Sequence, residues 1–210
     1  HKLKIIKQEW MGEFAFLNDS DMFPDYRMCS DEEIVWNSQN ISVISADLRS
    51  STETLRSKLH ACGFDTTKPT LVVSECCLVY LDQVTCEKLL TFFSSLAGNV
   101  SLAIYEQVNP DDAFGRTMVE NLSRRGCPLL SILPNTGAIQ SRLMYCGFSI
   151  NQVELMSHFT PLIKTVRPEM IDEIEEFNLF QKHYFLGIAS NQADLGPMKI
   201  VFTRNDNSTV

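Results

Sequence analysis

Three stretches of this chain each end an apolar run in side chains that could bind or orient a ligand. ISVISADL, residues 41–48, closes on Asp47; LVVSECCLVYL, residues 71–81, carries Glu75 and Tyr80; NVSLAIYEQV, residues 99–108, carries Tyr105, Glu106 and Gln107. Removing an unpaired carboxylate from water costs several kcal/mol. Glu75 inside so apolar a run must therefore meet donors, meet a ligand, or mark the place where the strand ends. If the three runs are neighbouring strands of one parallel sheet, their carboxyl ends share an edge, which is where open α/β folds bind ligands. One crevice then collects all of these groups. Taken singly, Tyr80 also reads as a core aromatic with its hydroxyl tied off, and Glu106 as a loop carboxylate in water.

Other chemistries leave no trace. The sequence contains no glycine-rich phosphate loop, no H-E-x-x-H and no G-x-S-x-G, and its four histidines (His1, His60, His158, His183) are scattered, so no metal site is expected. His183 opens an apolar run and reads as a structural histidine with satisfied nitrogens.

The elements that must position these groups follow from periodicity and punctuation. Ile41–Leu48 has β-branched alternation and is expected to be a strand. Thr52–Cys62 puts Leu55, Leu59 and Cys62 on one helical face and stops at Gly63. Residues 71–81 read as a strand buried on both faces. Asp82 caps a helix whose apolar face carries Val84, Leu89, Leu90, Phe93 and Leu96 and which stops at Gly98. Residues 99–108 form the next strand, and Asp112–Arg125 a helix capped by Asp111 or Asp112 and ended by Gly126. Ile139–Cys146 is a helix turned by Gly147 into the strand-like FSINQVELM; Glu169–Phe180 is helical and HYFLGIAS, residues 183–190, a last strand. Strands alternating with helices of this length mean βαβ units and a mainly parallel sheet, hence an α/β fold.

Composition sets outer bounds. A chain of 210 residues that is 44% hydrophobic and 21% charged suits one globular domain. The formal charge of -8 and pI near 5.0 argue against broad, nonspecific phosphate binding, leaving only a local basic patch. The seven cysteines are odd in number and lack a C-x-x-C pair, so they read as reduced core residues of a cytoplasmic protein. No apolar run reaches the roughly 18 residues of a membrane span. Residues 11–40 are mostly polar and broken, and read as a loop or excursion. The chain opens on His1 rather than Met, which reads as the start of a partial domain, residues 1–190, followed by a tail at 191–210.

Three motifs, in order, resemble one family. ADLR at 46–49, PTLVVSECCLVYL at 69–81 and YEQVNPDDAFGRTMVENL at 105–122, followed by Asp172, Glu173, Glu175, Glu176, His183, Tyr184 and Phe185, are similar to the leucine carboxyl methyltransferases. The resemblance implies a class I, Rossmann-like methyltransferase domain, incomplete at its amino terminus, that uses S-adenosyl-L-methionine. It implies that Asp47 and Leu48 lie beside the adenine and that Glu75 contacts the cofactor, regaining in charge-assisted hydrogen bonds what burial costs. Tyr80, Glu106, Gln107 and Asn109 are then the expected walls of the substrate pocket. Methylating a carboxylate displaces a neutral sulfide, and the nucleophile is already ionised, so no catalytic base is expected.

Two branches of that family compete, and the tRNA wybutosine-synthesising branch is the expected one. The P-x-D-A-F-G form of Pro110–Gly115 and the E-E…H-Y-F pattern look more like the tRNA wybutosine-synthesising branch, whose substrate is a modified phenylalanine tRNA. Glu120-Asn121-Leu122 looks more like the branch that methylates the terminal leucine of the type 2A protein phosphatase catalytic subunit. Arg116, Arg124 and Arg125 could supply a local basic patch for RNA, or simply pair with Glu120 and neighbouring acids. The family's glycine-rich turn is not found here, so a third reading is an inactive remnant or binding module of the same fold.

Overall fold

The computed structural model describes residues 36–37, 42–160 and 172–193. The expectations for most of residues 11–40, for Ile41, for the start of the 169–180 helix and for 194–210 lie outside them. The chain divides into two compact units, His1–Phe64 and Asp65–Val210.

In the first unit, β1 (Trp36–Asn37) pairs antiparallel with β2 (Ser42–Val43), Trp36 opposite Val43. The strand expected over 41–48 is thus confined to two of its residues; residues 44–47 are irregular, and Leu48 and Arg49 lie in a turn. The cause is local: the Asp47 carboxylate binds the Arg49 backbone N–H and the Ser50 N–H binds the Asp47 carbonyl, closing a turn that a strand cannot contain. Helix α1 (Thr52–Ala61) follows, with the Ser51 hydroxyl accepting from the Glu53 N–H at 3.1 Å.

The second unit is built on a four-stranded sheet. Its strands are β3 (Thr70–Glu75), β4 (Val100–Gln107), β5 (Ile150–Leu155) and β6 (Tyr184–Ser190), in the order β3-β4-β6-β5. β3 pairs parallel with β4, and β6 pairs antiparallel with both β4 and β5. Three of the four strands therefore run the same way, as the alternation of strands and helices requires, and β6 is inserted against them.

The helices are α2 (Gln83–Ser94), α3 (Ala113–Arg124), α4 (Thr136–Tyr145) and α5 (Ile174–Gln181). Asp82 caps α2 and Asp112 caps α3 through side-chain oxygens, both as expected from sequence. The end of α4 is a Schellman turn. Gly147, at φ +95°, donates to the Met144 carbonyl, and Phe148 donates to that of Leu143 while burying its ring. Helix α4 starts earlier than the expected Ile139, because Asn135 caps it by accepting from the Ala138 N–H.

The core lies between one face of β4 and helices α2 and α4. Val100, Leu102 and Ile104 alternate inward and meet Cys86, Leu89, Leu90, Ile139, Leu143 and Phe148, all buried. α2 is rotated from the expected face: Cys86 and Phe92 are buried, while Val84 is 59% exposed. A larger correction concerns β3. It ends at Glu75 rather than running to 81, and its Leu71 and Val73 are 64% and 69% exposed, so it is not buried on both faces. It is the edge strand of the described sheet, with no described element over those two side chains. Among the described residues no helix is long and apolar enough to cross a membrane.

Candidate functional site

The end of β3 is a sharp corner. Cys76 takes a positive φ of 45°, which a residue with a Cβ adopts only under constraint, and its N–H still reaches the Tyr105 carbonyl at 2.8 Å. The chain then turns through a short 3-10 helix, Leu78–Tyr80. Cys76 and Cys77 are thus corner residues rather than part of the strand expected over 71–81. Burial and the nearby Glu106 carboxylate push both thiols up, keeping them protonated. Of the cysteines expected in the core, Cys86 and Cys146 are buried and Cys127 is exposed.

Glu106 is what holds this corner. It is 5% exposed, and its Oε1 accepts three backbone N–H groups: Cys77 at 3.1 Å, Leu78 at 2.5 Å and Val79 at 3.2 Å. Successive N–H groups at a helix start form an anion cradle, here filled by the protein's own carboxylate. Burial outweighs the three donors and the Arg142 charge, so the carboxyl group titrates above its ordinary range. Sequence reading offered Glu106 as a pocket wall or as a loop acid in water; its carboxylate faces the turn.

Glu75 is the opposite case. It is exposed at the last position of β3, opposite Tyr105 in the register, and among the described residues its carboxylate has neither an ion pair nor a hydrogen bond. It is the free anion at the carboxyl edge of the sheet. Beside it, Gln107 pairs in register with Tyr184 and donates to the Tyr184 hydroxyl at 3.2 Å. Burial pushes the phenols of Tyr80, Tyr105 and Tyr184 up, so they stay neutral. Asn109, at φ +60°, spends its side-chain amide on the Lys182 carbonyl at 2.7 Å. The edge therefore brings together Glu75, Tyr80 and Gln107, while Glu106 and Asn109 brace the backbone around them.

A row of rings extends from this edge. Tyr105 stacks on Tyr184 at 5.3 Å, Tyr184 on Phe180 at 4.6 Å, and Phe114 meets Phe180 edge-on at 6.4 Å. The last three rings, with Met118, Leu122 and Arg125, line a groove of about 350 Å³. Sequence reading missed it. The signal was there: Phe114, Thr117, Met118, Asn121, Leu122 and Arg125 recur at helical spacing along α3. His183, 1% exposed, contacts the Leu179 carbonyl through Nδ1 at 2.8 Å and Asp112 Oδ1 through Nε2 at 2.9 Å, the satisfied structural histidine expected.

Asp47 and Leu48 belong to the first unit. Arg49 grips the Asp47 carboxylate through Nε at 2.9 Å and Nη2 at 2.8 Å, and these bonds, with that from its own N–H, hold the exposed acid down to about 2. Leu48 is half-buried in the adjoining turn. The arginines of α3 are mostly engaged: Arg124 pairs with Glu120 at 2.6 Å and Arg116 binds the Asp111 carbonyl.

Residues 27–94 match the family model described as leucine carboxyl methyltransferase. Leucine carboxyl methyltransferase 1 of Rattus norvegicus is 33% identical over 176 residues, covering 79% of this chain and 52% of that protein. The leucine carboxyl methyltransferase 1 homolog of Arabidopsis thaliana is 29% identical over 165 residues, 74% of this chain and 49% of that protein. The tRNA wybutosine-synthesizing protein 4 of Rattus norvegicus is 30% identical over 186 residues, 83% of this chain and 26% of that protein. The chain thus spans about half the length of the first two, and a quarter of the third.

Proposed function

Because the chain belongs to the leucine carboxyl methyltransferase family, we propose that it serves the transfer of a methyl group from S-adenosyl-L-methionine to a carboxylate at the end of a polypeptide. The observation that carries this reading is the unpartnered Glu75 carboxylate at the carboxyl edge of the sheet, with Tyr80, Tyr105 and Gln107 beside it. A carboxylate held clear of protein donors fits the ammonium and ribose hydroxyls of such a cofactor. When bound, the cofactor supplies an electrophilic methyl group on a sulfonium sulfur. This chain's residues then have to position and desolvate. Tyr80 and Gln107, both neutral, wall the pocket without competing for the methyl group, and the Glu106 cradle keeps Tyr80 in place. No side chain is asked to remove a proton, since the accepting carboxylate is ionised at neutral pH.

A polypeptide substrate is favoured over tRNA by the groove. Its aromatic and aliphatic walls suit an apolar side chain, and Arg125 at its rim suits an acidic neighbour. An RNA face would need free cations, but Arg124 is committed to Glu120 and Arg116 to the Asp111 carbonyl. The tRNA reading keeps the support of the similarity to the wybutosine-synthesizing protein. The test is methyl transfer from labelled cofactor to a peptide ending in leucine and to tRNA carrying the amino-carboxypropyl guanosine precursor, each at two salt concentrations. The expected result is a base-labile methyl ester on the peptide alone. Transfer to the tRNA alone, falling steeply with salt, overturns the peptide reading; cofactor binding without transfer to either makes the chain a binding module.

A further inference from the structure

Behind the corner that ends β3 lies a small cavity of about 20 Å³, lined among others by Glu106, Ser131, Cys86 and Arg142. Two opposite charges border it without touching. Arg142, on α4, donates from Nη1 to the Ser131 carbonyl at 3.0 Å and lies 3.8 Å from Cys86 Sγ, but its Nε is buried and has no partner. Glu106 uses Oε1 for all three backbone donors, and no protein donor reaches Oε2 among the described residues. A buried N–H without an acceptor is costly, and a carboxylate oxygen without a protein donor is open to one. That cost vanishes if something between them accepts from the N–H and donates to the carboxylate. An anion would be repelled by Glu106 and a cation by Arg142, and nothing larger than one water fits, since a water needs roughly 10–15 Å³ of such space.

We propose that the cavity is a hydration site whose single water accepts from Arg142 Nε–H and donates to Glu106 Oε2, making Arg142 a positioning residue for the Cys77–Val79 turn. The turn sits between Glu75 and Tyr80, so Arg142 acts on the sheet edge from a helix far along the chain, through the water and then Glu106. The nearby guanidinium also favours the ionised form of Glu106, in line with its effect on that carboxyl group. None of this depends on the proposed methyl transfer.

A high-resolution crystal structure of the full chain tests the site directly. The expected result is one ordered water within hydrogen-bonding distance of both Arg142 Nε and Glu106 Oε2. An empty cavity, or a direct Arg142–Glu106 contact with the cavity closed, overturns the proposal. Amide hydrogen exchange tests the positioning role. In Arg142→Met, exchange at Leu78 and Val79 should quicken about tenfold while that of β5 is unchanged, the equivalent of one lost hydrogen bond. Arg142→Lys, which keeps the charge, should restore part of the protection. Wild-type exchange in Arg142→Met overturns the role, and the crystallographic arm stands even if that variant fails to fold.

Discussion

Substituting Glu106 separates its charge from its shape. Glu106→Gln keeps an oxygen for the three N–H groups and removes the charge. A hydrogen bond to a charged acceptor contributes about 1.5–3 kcal/mol against about 1 kcal/mol for a neutral one. Only the Leu78 bond, at 2.5 Å, is short; those at 3.1 and 3.2 Å count as partial. The swap thus loses about 2 kcal/mol of charge assistance, but burial of the ion outweighs that assistance, so Gln should lie within about 1 kcal/mol of wild type at neutral pH. Glu106→Ala instead leaves Leu78 and Val79 N–H groups unmet in a buried corner. At about 1–3 kcal/mol each, with Cys77 half-exposed to water, the expected loss is about 3–5 kcal/mol. The pH dependence adds a sign. The folded-state carboxyl group lies above its ordinary value of 4.5, so the native state holds the proton more tightly than the unfolded chain. Wild-type stability should therefore fall as pH rises from about 4.5 through the folded value and level off above it, and Gln should remove that slope. Urea unfolding of all three proteins across this range is the assay. A loss below about 1 kcal/mol for Ala, or equal losses for Gln and Ala at neutral pH, would refute the cradle.

Three further expectations are simpler. Glu75→Gln should weaken binding of S-adenosyl-L-methionine by about 1.5–3 kcal/mol, the scale of one hydrogen bond to a charged group; unchanged affinity by calorimetry returns Glu75 to a solvated strand end. Gly115→Ala would gain up to about 1 kcal/mol of helix propensity in α3, but its Cβ would lie 2.1 Å from the Asn109 carbonyl oxygen and 2.7 Å from the Pro110 carbonyl carbon. We expect a net loss of at least about 3 kcal/mol, read as a lowered Tm; a neutral or raised Tm contradicts that packing. The Gly115 N–H, then His183, hold the Asp112 carboxyl group below 3.8, so its contribution is present above that value and lost as pH falls through the folded one. Asp112→Asn should give a shallower acid limb of the stability profile, and an unchanged limb would show that the cap carries no charge effect.

What the sequence determined is what local rules govern. Asp82 and Asp112 cap helices because their short acceptors sit just before runs that need them, and Gly126 and Gly147 end helices because the left-handed position they occupy tolerates glycine best. The alternation of strands and helices likewise implied an α/β sheet whose carboxyl edge gathers Glu75, Tyr80 and Gln107. What tertiary structure decided is which carboxylate is buried. By its apolar surroundings Glu75 was either a buried charge or the mark of a strand end, and Glu106 a pocket wall or a loop acid in water; the fold makes Glu75 the exposed strand end and buries Glu106. Burial depends on where the chain leaves the sheet and what lies across from it. Cys76 turns the chain away one residue after Glu75, leaving it in water, while the inward face of β4 aims Glu106 at three N–H groups of a turn 27 to 29 residues earlier. The position of β6 between β4 and β5 was equally hidden, since a run of apolar residues states that it is a strand but not which neighbours it pairs with or in which direction. Tyr184 reaches the site only through that antiparallel insertion, which brings its ring over Tyr105 and sets the row that leads to the groove.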